Sequence, residues 1–398
     1  MLVYLLNIAL ICIYALYFCR GEQTKLKRTL FIFLCFFQCL MIATIRYNIG
    51  TDYYMYRVGF YKMAESGFSD MKYEDWEIGY ILLNKIVGSL VKHDGVFFFI
   101  TSALSLSGTF YMIWRFSKNP FMSVFLFLNT YLFYLDLNYI RQGIAMSIMC
   151  FAYGALQDRK LWKFLLLCAL AATFHLPVLY LIPVYFITYI KLNLKTMPIY
   201  AAGLIVYFAF SDMVWNFIFS HFHQEYADSR FIKYGIAFYY AIYPLLLCIA
   251  MVALVFYLKF DLPKHFNVLV HLTLMMGFWQ IVMTKHTLFE RFSYYTMPFL
   301  LIAVPEAISI FRDKLSERSE RALAEKFGDD IEGLKTAELM AEKKRKIIII
   351  AINTAVLVLA LGYNLLGLIV PENGAHGVLP FKNRFGLDIP NIDNWFKS

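Results

Sequence analysis

Five short stretches carry the residue types that could do chemistry. They are Arg46 and Asp52 in RYNIGTDYYMY (46–56), Glu77 in WEIGY, Asn138, Arg141 and Gln142 in LNYIRQGIA, His175 in TFHLP, and Glu290, Arg291 and Tyr294 in HTLFERFSYY. Each lies at the edge of an apolar run or opens one. A guanidinium fork binds phosphate oxygens in pairs and keeps its charge at any working pH. Arg141 also begins an apolar helical pattern, where unpaired N–H groups favour an anion. Arg46, Arg141 and Arg291 together therefore suit a lipid-linked diphosphate whose head group lies at the membrane boundary.

Each residue has a plainer structural reading. An arginine at a helix end can be an anchor that snorkels to the interface. Arg46 can pair with Asp52, and Arg291 with Glu290. His175, two residues before Pro177, can be a helix-end hydrogen-bonding group. The tyrosines at 47, 53, 54 and 56 can belong to an interfacial aromatic belt. The set is more telling than any one member. There is no Gly-rich phosphate loop, HExxH helix or GxSxG elbow. His221, His223, Glu225 and Asp228 share one loop without rigid ligand spacing, so no metal and no cofactor is expected.

The elements that must position these groups are apolar helices. The 398 residues are 60% hydrophobic and only 16% charged, with mean hydropathy +0.58. Continuous runs of span length, without strand-like alternation, predict an all-α, polytopic integral membrane protein. About twelve transmembrane helices are expected, near 1–19, 29–45, 95–115, 119–137, 140–157, 161–176, 177–191, 197–218, 235–258, 265–284, 292–311 and 346–370. The first run has no basic leader and no small-residue cleavage site, so it reads as a span. The seven cysteines lie in apolar runs and suggest neither disulfides nor zinc.

Most of the 37 Lys and Arg fall in one set of alternate loops: 20–28, 115–119, 157–163, 191–195, 258–265 and the mixed-charge helical segment 312–346. The positive-inside rule assigns this set to the cytoplasm. The net charge of +9 then reads as topology rather than nucleic-acid binding. Both termini, the segment 46–94 and the tail 371–398 fall outside. Counting 76–92 as a crossing would break the charge pattern, so it is expected as an external interfacial or re-entrant helix.

The stretches RYNIGTDYYMY, WEIGYILLNKI, NYIRQGIAMSI, FHLPVLYLIPVY and ERFSYYTMPFLLIAVP, with the tail GVLPFKNRF, resemble in order and spacing the EpsG family of bacterial exopolysaccharide and capsule synthesis. That family is similar to Wzy-type polysaccharide polymerases. Its acidic–Arg–Gly–Tyr motif appears here as Glu77-Ile78-Gly79-Tyr80, without the arginine. The resemblance implies a GT-C-like helical architecture in the bacterial cytoplasmic membrane. It implies an inverting glycosyltransferase that moves a glycan from a polyprenyl-diphosphate carrier to a lipid-linked repeat unit at the outer face. The partners implied are lipid-linked oligosaccharides, the bilayer, and a chain-length regulator with other polysaccharide-synthesis proteins.

On that reading Arg46, Arg141 and Arg291 hold the departing diphosphate, where leaving-group charge grows. Asp52 is the first choice for general base and His175 the second. Tyr53, Tyr56 and Glu77 are expected to contact sugar rings, with Asn138, Gln142, Glu290 and Tyr294 completing the substrate set. The alternatives are a flippase for the same lipid-linked sugars, a ligase delivering glycan to another acceptor, or a membrane acyltransferase using His175. A flippase would show inverted repeats and polar groups at mid-depth; this chain clusters its polar groups at one face.

Overall fold

The computed structural model describes residues 1–385 apart from 23, 69–70, 74, 222–234, 328–330 and 373–374. The histidine–carboxylate loop at 223–228 lies outside the described residues. Regular structure among them is helical: α1 (Leu2–Phe18), α2 (Lys25–Ile45), α3 (Tyr53–Glu65), α4 (Ile78–Leu90), α5 (Asp94–Phe116), α6 (Pro120–Asn129), α7 (Leu132–Asn138), α8 (Ile140–Gln157) and α9 (Leu161–Ala172). There follow a 3-10 turn (Leu176–Tyr180), α10 (Leu181–Ile187), α11 (Pro198–His221), α12 (Tyr239–Tyr257), α13 (Lys264–Val282), α14 (Glu290–Thr296), α15 (Leu300–Phe327) and α16 (Ile331–Ile369).

Six described segments are long and apolar enough to cross a bilayer, or seven if the bent pair α6–α7 is one span. The expected count of about twelve is not reached by full-length helices. The predicted spans 161–176 and 177–191 become a 12-residue helix, a 3-10 turn and a 7-residue helix. Pro177 is the cause, since it lacks an N–H and disfavours a helical residue before it. The predicted span 119–137 is bent by 55°, where Tyr131 adopts a left-handed φ of 64°. The Tyr131 hydroxyl donates to the Tyr363 carbonyl at 2.6 Å, which ties the bend to α16. α4 has 13 residues, about 20 Å of helix, well short of a bilayer.

Helices in a membrane gain little from burying apolar surface against one another, so close packing and hydrogen bonds hold them. The Gly108 N–H of α5 donates to Ser147 Oγ of α8 at 2.7 Å. Arg28, in the basic segment at the start of α2, caps the far end of α5. Its guanidinium donates to the carbonyls of Ile113, Trp114 and Ser117 at 2.6–2.9 Å, at the helix end where carbonyls run short of helical partners. Asn119 caps α6 in the usual way, its Oδ1 accepting from Met122 N at 3.1 Å.

The site-bearing end of the bundle is sewn up by the C-terminal segment. Tyr47 N donates to Lys382 O and Arg384 N to Ile45 O, both at 3.0 Å, making a short antiparallel pairing with the exit of α2. The Tyr4 hydroxyl reaches Val378 O at 3.2 Å. Residues nearly a chain length apart therefore meet at the stretch 45–56.

Candidate functional site

Glu77, which leads into α4, organises one wall. Its Oε1 accepts the Leu176 N–H at 3.0 Å and its Oε2 lies 2.6 Å from Arg141 Nη1. Gly79 N donates to Thr173 O at 2.8 Å. A Cβ at Gly79 would stand 2.8 Å from that same oxygen and 2.4 Å from Thr173 Oγ1. Only glycine permits this approach. The Glu77–Tyr80 motif thus binds the start of α4 to the turn that carries His175, and orients Arg141 as well. Ile78, where the family pattern has arginine, is 51% exposed and takes no part.

Arg141 stands in the first turn of α8. It donates to Asp75 O at 3.2 Å and lies over the Trp76 ring at 5.7 Å. Arg291, from the first turn of α14, is exposed and lies over the Tyr139 ring at 5.5 Å. Gln142 joins the two helices, its Nε2 donating to Arg291 O at 2.6 Å. Gln142 Oε1 is buried with no hydrogen-bond partner among the described residues, an acceptor that a ligand hydroxyl would satisfy. Tyr56 and His175 each feel the charge of both arginines. The Gln142–Arg291 bond brings the first turns of α8 and α14, and with them the two arginines, to the same end of the bundle.

Asp52, Glu290, Tyr294 and His376 make a second polar group, linked to Arg291 through the Tyr139 ring. Asp52 is half-buried before α3 and accepts from Thr51 Oγ1 at 2.9 Å. Asn138 clasps this loop to the tail: its Oδ1 accepts from Thr51 N at 2.7 Å and its Nδ2 donates to His376 O at 3.0 Å. Gly50 is needed here, with φ +95° and Asn138 Oδ1 only 2.5 Å from where a Cβ would sit. Glu290 accepts hydroxyls from Tyr294 at 2.5 Å and Tyr139 at 3.3 Å. No Glu290–Arg291 ion pair forms among the described residues. His376 Nε2 is 3.5 Å from the Tyr294 hydroxyl, and its ring stands edge-on to Tyr139 at 6.0 Å. Burial lowers the His376 pKa, while Glu290 and Asp52 pull it the other way.

Arg46, Tyr53 and Tyr56 lie elsewhere than the sequence suggests. Arg46 is 0% exposed. It donates to Ala43 O and Leu137 O, the latter at 3.1 Å, and lies over Phe98 at 5.1 Å. No guanidinium surface is left for a phosphate, and no Arg46–Asp52 pair forms among the described residues. Arg46 instead ties the end of α2 to the end of α7. Tyr53 and Tyr56 are 1% and 3% exposed. With Phe60 and Met63 they form the inward stripe of α3, at helical spacing. The Tyr53 hydroxyl accepts from Arg384 Nη2 at 2.8 Å, and its ring stacks on Phe98 at 4.5 Å. The exposed tyrosines of this stretch are Tyr47 and Tyr54. Sequence alone could not phase α3, because four tyrosines in a row of polar residues give no apolar stripe to read.

His175 is buried, with Nδ1 hydrogen-bonded to the Tyr295 hydroxyl. It sits in the turn between α9 and the 3-10 helix. Burial, then the charges of Arg291 and Arg141, bring its pKa down to about 3. At neutral pH it is an uncharged imidazole in a fixed hydrogen bond. Sequence reading places His376 on the outer side but gives it no role in the site. Its only signal there is position, just past the last apolar run.

The bundle defines an integral membrane protein of apolar helices. The chain belongs to the EpsG family, whose profile matches residues 28–319. Membership gives it a role as a polysaccharide polymerase, an activity of glycosyltransferase type. No curated protein matches the chain, and no solved structure matches it. His376 and Arg384 lie beyond the matched residues.

Proposed function

We propose that this chain is an inverting polysaccharide polymerase. It takes a growing glycan from a polyprenyl-diphosphate carrier and transfers it to the next lipid-linked repeat unit at the outer face of the bacterial cytoplasmic membrane. The acceptor hydroxyl attacks the anomeric carbon from the face opposite the carrier. The bond from that carbon to the diphosphate oxygen breaks, its electron pair leaving on the diphosphate. The hydroxyl proton passes to a base in the pocket.

Arg141 and Arg291 are the groups suited to the departing charge. Each is a forked donor, and Gln142 joins the first turns of α8 and α14 that bear them. Arg291 makes no side-chain hydrogen bond among the described residues and is exposed to a ligand. Glu77 holds Arg141 in register rather than stacking on sugar. Asp52 is the base we favour, since it is half-buried and lies close enough to act on Tyr56, Tyr139 and His376 electrostatically. His175, held uncharged against Tyr295, is a positioning residue on this reading. Gln142, Glu290 and Tyr294 supply polar contacts to the sugar, and Asn138 shapes the loop that carries Asp52.

The observation that carries the proposal is the Gln142–Arg291 bond, which joins the helix starts that bear Arg141 and Arg291. The test is polymer synthesis in cells whose native copy is replaced by Arg141→Ala or Arg291→Ala. Loss of an electrostatic donor of this type typically costs about 10²–10³ in rate. The expected result is loss of long polymer and build-up of lipid-linked single repeats. Polymer of normal length with no such build-up would refute the assignment.

A further inference from the structure

A second cationic cleft lies beside α3, apart from the Arg141–Arg291 pocket. Its volume is about 570 Å³. Arg57 and Arg384 share the single carboxylate of Asp94, with Arg57 Nε and Arg384 Nη1 each 2.7 Å from one of its oxygens. Two guanidiniums against one carboxylate leave an excess of positive charge. Arg57 retains guanidinium N–H groups beyond its bond to Asp94, and its side chain is 34% exposed. His93 stands at the same rim and is exposed. Its Nδ1 accepts the Gly95 N–H at 3.1 Å, so Nε2 carries the ring proton and is a donor.

Below this head the cleft is apolar. Met41, Ile45 and Phe99 line it. On α2 the exposed residues Leu30, Phe33, Phe37 and Met41 continue as one stripe at helical spacing. A cleft with anion donors at its mouth and a long apolar lane beneath fits an amphiphile with an anionic head and an extended hydrocarbon chain.

α3 separates the two cationic sites. Tyr56 faces Arg141, and the next residue, Arg57, faces Asp94. Successive helical side chains diverge by about 100°, so one short helix can serve both sides. A polymerase must hold two lipid-linked glycans at once, one leaving its carrier and one keeping it.

We propose that the His93–Arg57–Arg384 cleft binds the diphosphate of a second polyprenyl carrier, the one that stays attached to its glycan. This inference rests on the polymerase reading above. It assigns Arg57 and His93 to the headgroup and Met41, Ile45 and Phe99 to the start of the prenyl chain. Arg384 and Asp94 fix the position of Arg57.

The test is native mass spectrometry of the full chain in nanodiscs with undecaprenyl diphosphate. The informative variants are His93→Asp and Arg57→Gln. Aspartate is itself a good helix N-cap, so His93→Asp keeps an acceptor for Gly95 N while reversing the character of the rim. The expected result is two carriers per wild-type chain, one in either variant, and one in Arg141→Ala, whose loss is independent of the first. One carrier in wild type, lost only on Arg141→Ala, would overturn this inference and leave the polymerase reading intact. No carrier in wild type would overturn both. Equal loss of phosphatidylglycerol in His93→Asp would overturn the inference in favour of a general anionic-lipid site. Full competition at the cleft by inorganic pyrophosphate would overturn the part assigned to the prenyl chain.

Discussion

Glu77 and Arg141 form an ion pair of 2.6 Å in which both side chains are 17% exposed. The same carboxylate takes the Leu176 N–H, so a single residue sets both the guanidinium and the turn behind it. Glu77→Gln keeps an acceptor for Leu176 N but removes the charge that fixes Arg141. A misplacement of about 1 Å at a reacting centre can cost about 10² in rate. Polymer synthesis in Glu77→Gln is expected to fall by about that factor with the protein still present in the membrane. Normal synthesis in this variant would remove Glu77 from the site.

Gly79→Ala probes the same wall through the backbone. The new Cβ would meet Thr173 O at 2.8 Å, and a carbonyl in a turn cannot rotate away as a side-chain tip can. Overpacking of this kind typically costs about 1–3 kcal/mol. The melting temperature of the purified protein should drop, and polymer synthesis should drop with it because the turn carries His175. An unchanged melting temperature would show that α4 does not pack on this turn.

Part of this architecture is legible in the sequence because it follows from hydropathy and charge at a distance of a few residues. The apolar helices and the gathering of Arg141, Arg291, Asp52 and Glu290 at one end both come from the alternation of loops. Other features depend on contacts between distant residues. Arg46 looks the same in sequence whether its guanidinium meets a phosphate or, as here, the carbonyls of Ala43 and Leu137. The bend at Tyr131 rests on a bond to Tyr363. Span counting fails at 161–191 because a proline-broken run has the composition of two spans and the geometry of short helices.

Asn138→Leu tests the clasp between the Asp52 loop and the tail. Leucine fills a similar volume but removes the acceptor for Thr51 N and the donor to His376 O. An unpaired buried amide costs about 1–3 kcal/mol. The variant should lose polymer synthesis and show faster hydrogen exchange at 50–52 and 375–377. Unchanged exchange at both segments would mean that they are held independently.

His175 and His376 predict how stability changes with pH. Both have folded-state pKa values below the ordinary 6.5, His175 down to about 3, and His376 lowered by burial. Below about 6.5 the unfolded chain therefore binds protons that the folded chain does not. The contribution is complete above the ordinary value and is lost as pH falls toward the folded one. Each histidine adds a slope of at most about 1.4 kcal/mol per pH unit in that window. Between pH 7.5 and pH 5 the melting temperature of wild type in nanodiscs should fall. His175→Gln and His376→Gln, which have no titrating ring, should each flatten the fall. A fall as steep in both variants as in wild type would place the acid sensitivity on other groups.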